Sequence, residues 1–169
     1  VLPWISGHYQ TGQPLPAETL ATLNATRTFQ AGLSMVRQIE FALFDFRLHT
    51  EYVLGQGSRA EEILARTRQE VAVMEVPSFN RFPNTFSHVF GGSYAAGYYS
   101  YKWAEVLAAD VFSAFEEKGS FDPETAEHFR NCILATGGRR DAMDVFKEFR
   151  GRAPSLDPLL RQAGIQLEG

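Results

Sequence analysis

The sequence predicts an all-α, multi-helix chain, and three observations predict it. Apolar residues recur at i, i+3, i+4 and i+7 along most of its length. No segment alternates apolar and polar residues as a half-buried strand would. Proline and glycine fall at intervals of helix length, where starts and stops are expected. At 169 residues the whole of 1–169 suits a single helical domain. A chain of this size buries roughly 70% of its unfolded surface, and fourteen Phe and two Trp are there to fill a core.

The elements follow in order. Pro16 sits where a first helical turn tolerates it, and the sequence is helix-compatible from there to about Tyr52, with room for one break. Its second half, GLSMVRQIEFALFDFRLH, is apolar on most faces, which predicts a place inside a larger core. GQGS at 55–58 is a connector, and Ser58 with Glu61 has the spacing of a capping box, so a helix is expected to start there and fade before Pro77. Residues 75–93 read as a long irregular segment, interrupted by Pro77 and Pro83. Loops of this length inside a compact domain are usually functional or mobile. A long helix is expected from about Tyr94 to Lys118, ending at Gly119, with Trp103, Val106, Leu107, Val111, Ala114 and Phe115 as its buried stripe. Asp110 falls near that stripe and needs a partner, for which an ion pair is the simplest provision. Asp122-Pro123 reads as N-cap plus N1 of a helix stopping near Gly137-Gly138. Two short helices follow, with Gly151 and Gly164 as their stops.

Charge and composition narrow the function. Net charge is −4 and no Lys/Arg cluster stands out, so no nucleic-acid partner and no membrane partner are expected. No apolar run nears the roughly 18 residues of a spanning helix. The start, VLPWISGHYQTG, has neither the basic region nor the continuous apolar region of a signal peptide. The lone Cys132 has no CxxC partner and no local activating histidine in view, so it reads as a buried structural thiol, and a reducing, cytoplasmic setting fits it. The four histidines, His8, His49, His88 and His128, are not paired with one another at helical spacing, and no H-E-x-x-H occurs. A catalytic zinc normally takes three protein ligands, so no metal is expected on this chain.

The stretch HVFGGSYAAGYYSY, residues 88–101, carries the chemistry. If 94–101 is helical, Tyr94, Tyr98 and Tyr101 share a face and Tyr99 points elsewhere. A phenol is a neutral donor near pH 7 and suits a developing oxyanion. Three tyrosines at this spacing also suit a core stripe with its hydroxyls at the edge, and spacing alone leans toward that stripe. His88 could donate to a substrate carbonyl, but a lone histidine is more often a satisfied or surface residue. The glycines fit neither phosphate-loop pattern; they permit close backbone approach or a hinge.

The segment FSHVFGGSYAAGYYSYKWAEVLAADVFSAF resembles the thimet-oligopeptidase family of zinc metallopeptidases, in the pattern of its bacterial oligopeptidase A and dipeptidyl carboxypeptidase branches. ISGHYQTGQPLP, FQAGLSMVRQIEFALFDFRLH, RFPNTFSHVF and ILATGGRRDAMDVFKEFRGRAPSLDPLLRQAGI resemble it too, in the family's order and over nearly the whole chain. The resemblance implies a C-terminal portion of a helical, two-lobed peptidase, acting on short peptides. The zinc-bearing H-E-x-x-H segment would belong to a missing N-terminal part of the same polypeptide. By that resemblance Tyr101 donates to the oxyanion of the tetrahedral intermediate. Tyr94 contacts substrate or intermediate, Tyr98 plays a secondary substrate role, His88 binds the peptide backbone, and Gly92 belongs to a mobile glycine loop. The family usually reads Gly-Gly-Tyr where this chain reads Gly92-Ser93-Tyr94, which bears on the loop's mobility. The resemblance further implies zinc in the complete enzyme and inactivity of this chain alone. The alternative is a stand-alone, non-catalytic helical domain of the same descent that binds a partner or a small ligand.

Overall fold

The structure, a computed structural model, describes residues 1–165; the expected domain limit at 169 lies outside them. No strand occurs among the described residues. The α-helices are α1 (Leu2–Ile5), α2 (Ala17–Thr26), α3 (Ala31–Thr50), α4 (Ala60–Val71), α5 (Ser87–Phe90), α6 (Ser100–Lys118), α7 (Pro123–Phe129), α8 (Ala142–Arg150) and α9 (Asp157–Gln162). The expected helix from Pro16 to Tyr52 is thus α2 plus α3. Pro16 stands one residue outside, at the N-cap, and the break falls at Gln30, whose φ of 53° is left-handed.

Two apolar clusters organise these elements. The first joins Phe44 of α3, Ile63 and Leu64 of α4, Phe86 and Val89, with Phe41, Phe82 and Tyr98 packed against them. The second joins Ala114 of α6, Cys132 and Phe149 of α8, edged by Val111, Phe115, Phe129 and Ile133. α3 lies on α4, while α6 lies on α8 and α9.

Several expectations shift. Within the described residues α3 is only partly covered: Glu40, Phe44 and Asp45 are fully buried on it, and Ile39 and Phe46 are exposed. Two of those three are carboxylates. Glu40 is held by Arg37 at 2.9 Å and by Arg68 of α4 at 2.9 Å, so α3 and α4 share a buried ion pair beside their apolar contact. The capping box does not form. α4 begins at Ala60 with Arg59 at its N-cap, so Glu62 rather than Glu61 occupies the third position, and Arg59 pairs with Glu62 at 2.6 Å. The segment 75–93 is not wholly irregular. It holds a 3₁₀ turn, Phe82–Thr85, and the one-turn helix α5. Both are pinned by aromatic burial: Phe82 stacks on Phe41 at 4.7 Å, and Phe86 sits in the first cluster.

α6 starts six residues later than expected, at Ser100. Residues 94–99 form tight turns instead, with Gly97 N–H bonding the Tyr94 carbonyl and Ser100 N–H the Gly97 carbonyl. Trp103 is exposed rather than part of the buried stripe, while Val106 and Ala114 are buried as expected. Asp110 is fully buried and meets Arg150 and Arg152, the ion pair its position called for.

The expected Asp122-Pro123 start is present: the Asp122 carboxylate accepts the Thr125 N–H at 2.8 Å. α7 then widens into a π turn, Arg130–Leu134, and a 3₁₀ turn at Gly137–Arg139. Cys132 lies on the π turn, buried, and it does have a histidine beside it: His128 Nδ1 is 3.3 Å from Sγ. That neighbour does not activate the thiol. Burial and the adjacent Glu148 carboxylate push it above its ordinary value, so it remains a protonated structural residue. Gly151, at φ 72°, closes α8 in the left-handed conformation expected of such a stop.

Candidate functional site

The face worth attention is built where α3, α5 and the start of α6 meet. α5 presents His88 at an exposed surface. The 94–99 turns carry Tyr94 and Tyr98, and the first turn of α6 carries Tyr101. These four side chains converge. Tyr94 and Tyr101 stack at 4.9 Å, and Tyr98 lies 5.1 Å from Tyr101. The His88 ring stands 6.0 Å from Tyr94, 5.9 Å from Tyr98 and 6.2 Å from Tyr101. Tyr99 turns away and stacks on Phe46 at 5.1 Å. The expected grouping therefore holds, although a continuous helix is not what produces it.

What produces it is a carboxylate that sequence reasoning passed over. Asp45 of α3 is fully buried. It accepts the Ala96 N–H and the Tyr98 N–H, each at 2.9 Å. A helix beginning at Tyr94 could not aim those amides sideways at α3. The chain bends, and Ala96 takes a left-handed φ of 54°. For a residue with a Cβ this conformation costs about 1–2 kcal/mol and persists only where neighbours enforce it. Gly91, Gly92 and Gly97, the glycines on either side, all keep negative or extended φ. The lone Asp in FALFDFRL was the available signal: a buried charge in an apolar run needs donors from elsewhere in the chain.

The phenols differ in their freedom. Tyr98 is half-buried, edge-on to Phe86 at 5.1 Å and Phe41 at 5.8 Å. Its hydroxyl donates to Gln38 Oε1 at 2.9 Å, and burial raises its pKa. Tyr94 and Tyr101 remain more than a third exposed. The Tyr101 phenol is held above its ordinary value first by the adjacent Tyr94 hydroxyl, then by partial desolvation. Tyr101 is therefore a neutral donor at physiological pH, and both phenols lie on an open face beside a histidine. Such an arrangement can hydrogen-bond a peptide carbonyl or an oxyanion.

Gly92 earns its place by proximity. A Cβ there would lie 3.0 Å from the His88 carbonyl oxygen and 3.4 Å from both His88 Cα and the Ser87 carbonyl oxygen. All three are backbone atoms and cannot swing aside. Gly92→Ala should displace α5 and the His88 ring and cost about 1–3 kcal/mol, read by urea denaturation together with the His88 ring resonances. Ser93 is exposed and keeps a φ that any residue adopts, so its Cβ brings no backbone strain.

Among the described residues no group of three or more His, Cys, Asp or Glu side chains is arranged to hold a metal ion. None of their helices is long and apolar enough to cross a membrane.

Residues 1–165 match the profile of peptidase family M3. The chain is 54% identical over 165 residues to oligopeptidase A of Escherichia coli (strain K12), a match covering 98% of this chain and 24% of that protein. It is 50% identical to the probable cytosolic oligopeptidase A of Arabidopsis thaliana, over 95% of this chain and 24% of that one. It is 33% identical to dipeptidyl carboxypeptidase of Escherichia coli (strain K12), over 95% of this chain and again 24% of that protein. The chain spans about a quarter of the length of the curated relatives it matches.

Proposed function

The chain belongs to peptidase family M3, and from that premise we propose that it forms the substrate-binding and oxyanion-stabilising wall of a zinc-dependent oligopeptidase acting on short peptides. The observation that carries this reading is the convergence of Tyr94, Tyr98 and Tyr101 on the His88 ring, each about 6 Å from it on an exposed face. In it His88 binds the peptide backbone and Tyr94 contacts substrate or intermediate. Tyr101 donates its hydroxyl hydrogen to the oxygen that gains charge as the scissile carbonyl becomes tetrahedral. Tyr98, tied to Gln38, shapes the wall from beneath. Gly92 lets α5 approach closely enough to put His88 there, as part of the loop that adjusts when a peptide enters.

Zinc belongs to this reading, but the described residues supply no ligand set for it. The metal is assigned to the remainder of a longer polypeptide, which this chain would join as one helical unit and without which it would hydrolyse nothing. The cytoplasm is the compartment assigned, as for the relative named probable cytosolic oligopeptidase A in Arabidopsis thaliana; a second relative there, at the same 50% identity, is named organellar.

Two variants of the complete enzyme test the wall. His88→Ala should raise KM roughly tenfold, the worth of a lost hydrogen bond or two, with a smaller change in kcat. Tyr101→Phe should act on kcat instead. Metal content should stay at the wild-type level in both. If neither KM nor kcat moves, the face is not the substrate wall.

A further inference from the structure

Asp45 is a carboxylate with no contact to the open face, yet it binds the one segment that carries two of the face's phenols. Its Oδ1 accepts the Ala96 N–H at 2.9 Å and lies 3.0 Å from His49 Nδ1; its Oδ2 accepts the Tyr98 N–H at 2.9 Å. His49 Nδ1 is also 2.8 Å from the Asp45 backbone carbonyl oxygen. Both neighbours of that nitrogen are acceptors, so the tautomer with hydrogen on Nδ1 fits the site. The carboxylate is thus met by three N–H donors, one from its own helix and two from residues about fifty positions along the chain.

Two amides of alternate residues aimed at one anion make a small backbone cradle. Closing that cradle forces Ala96 left-handed and delays the start of α6 to Ser100. It also sets the direction in which Tyr94 and Tyr98 leave the chain on either side of Ala96, and through Tyr98 the ring against which Tyr101 rests. We infer that Asp45 is a positioning residue: acting through the Ala96 and Tyr98 amides, with His49 fixing its rotamer, it holds the phenols in register with His88. Its catalytic consequence rests on the reading of this face as the substrate wall; the latch itself does not.

Asp45→Asn is the informative variant. It keeps shape and volume, but the carboxamide has one acceptor oxygen and an NH₂ that confronts a donor. At least one of the three bonds is lost. Amide hydrogen exchange at Ala96 and Tyr98 should then accelerate about tenfold or more. In the complete enzyme kcat should fall about 10- to 100-fold, the scale of an ångström of misplacement. KM and metal content should change far less. A merely structural role would lower Tm but leave kcat unchanged well below it. Wild-type kcat with fast-exchanging amides overturns the positioning role; unchanged exchange overturns the latch. If Asp45→Asn does not fold, His49→Leu decides, because it removes only the supporting ring N–H from a side chain one-third exposed. It should raise the same exchange rates and lower kcat several-fold, and no change in either sinks the proposal. A complete wild-type protein that cleaves no peptide refutes the functional reading, while the exchange measurement still judges the latch.

Discussion

Tyr101→Phe should lower kcat of the complete enzyme by about 100- to 1,000-fold, the usual loss when one preorganised oxyanion donor is removed. The variant deletes a single oxygen. The ring stays, and with it the stack on Tyr94 at 4.9 Å and the contact with Tyr98 at 5.1 Å, so the wall keeps its shape. KM should move little, because the donor acts where charge develops rather than on the ground-state carbonyl. Steady-state kinetics together with zinc content make the measurement, and near-normal kcat would refute the assignment. The adjacent Tyr94 hydroxyl raises the Tyr101 phenol. Its neutral, donating form therefore persists beyond the ordinary tyrosine value near 10, and an alkaline fall in kcat below that pH must come from another group. Tyr98→Phe is the control: its hydroxyl is committed to Gln38, so the change should cost about 1 kcal/mol of stability and much less in kcat.

Asp110→Ala should destabilise the chain by about 3–5 kcal/mol, the cost of breaking a buried ion pair from one side. Asp110 is fully buried on α6. Arg152 grips it with two bonds, at 2.6 and 2.5 Å, Arg150 adds a third at 3.1 Å, and the Ser155 N–H a fourth at 2.8 Å. The carboxylate thereby ties the middle of α6 to the end of α8 and to the turn leading into α9. Removing it leaves Arg150, itself 8% exposed, facing only Glu117 and the Ser113 hydroxyl. Urea denaturation reads the loss; an unchanged midpoint would refute it.

The same site makes a pH prediction. Burial alone would raise the Asp110 carboxyl, but the bonds from Arg152 and the Ser155 amide, with the charge of Arg150, outweigh it and hold the group below its ordinary value. The folded state then binds its proton at lower pH than the unfolded chain, where Asp titrates near 3.9. This contribution is complete above about pH 5 and is lost as pH falls through the lowered folded value. Asp110→Asn should accordingly flatten the acid limb of the stability curve, as seen in Tm measured from pH 7 down to about pH 2.

The helical class, the punctuation by Asp122-Pro123, Gly119 and Gly151, and the need of Asp110 for partners were all legible in the chain. Each depends on a local rule: a period, a cap, or the cost of a lone buried charge. Spacing put Tyr94, Tyr98 and Tyr101 on one face but leaned toward a core stripe; a substrate role for them together with His88 was legible only through the resemblance to a peptidase family. Other features escaped, three of them instructive. The capping box at Ser58 failed because the helix starts one residue later than the pattern suggests. The stretch 94–99 reads as helix by its Ala and Tyr content, yet a carboxylate some fifty residues earlier bends it. The apolar composition of α3 suggested deep burial, whereas its buried positions are chiefly two carboxylates and one phenylalanine.

The division has a physical cause. The sequence by itself determined the helical class and the ends of several helices, since 3.6-residue periodicity and capping act within a few positions. It also determined that phenols and a histidine are concentrated in one short stretch. Only the tertiary structure decided that those phenols face one another across an open wall. That outcome depends on Asp45, Gln38 and Phe41 reaching across from α3, on Gly92 lying close over the Ser87 and His88 backbone of α5, and on Ala96 accepting a backbone angle it would not choose alone. Long-range hydrogen bonds to a buried anion outweigh local propensity over 94–99, and no local pattern encodes them.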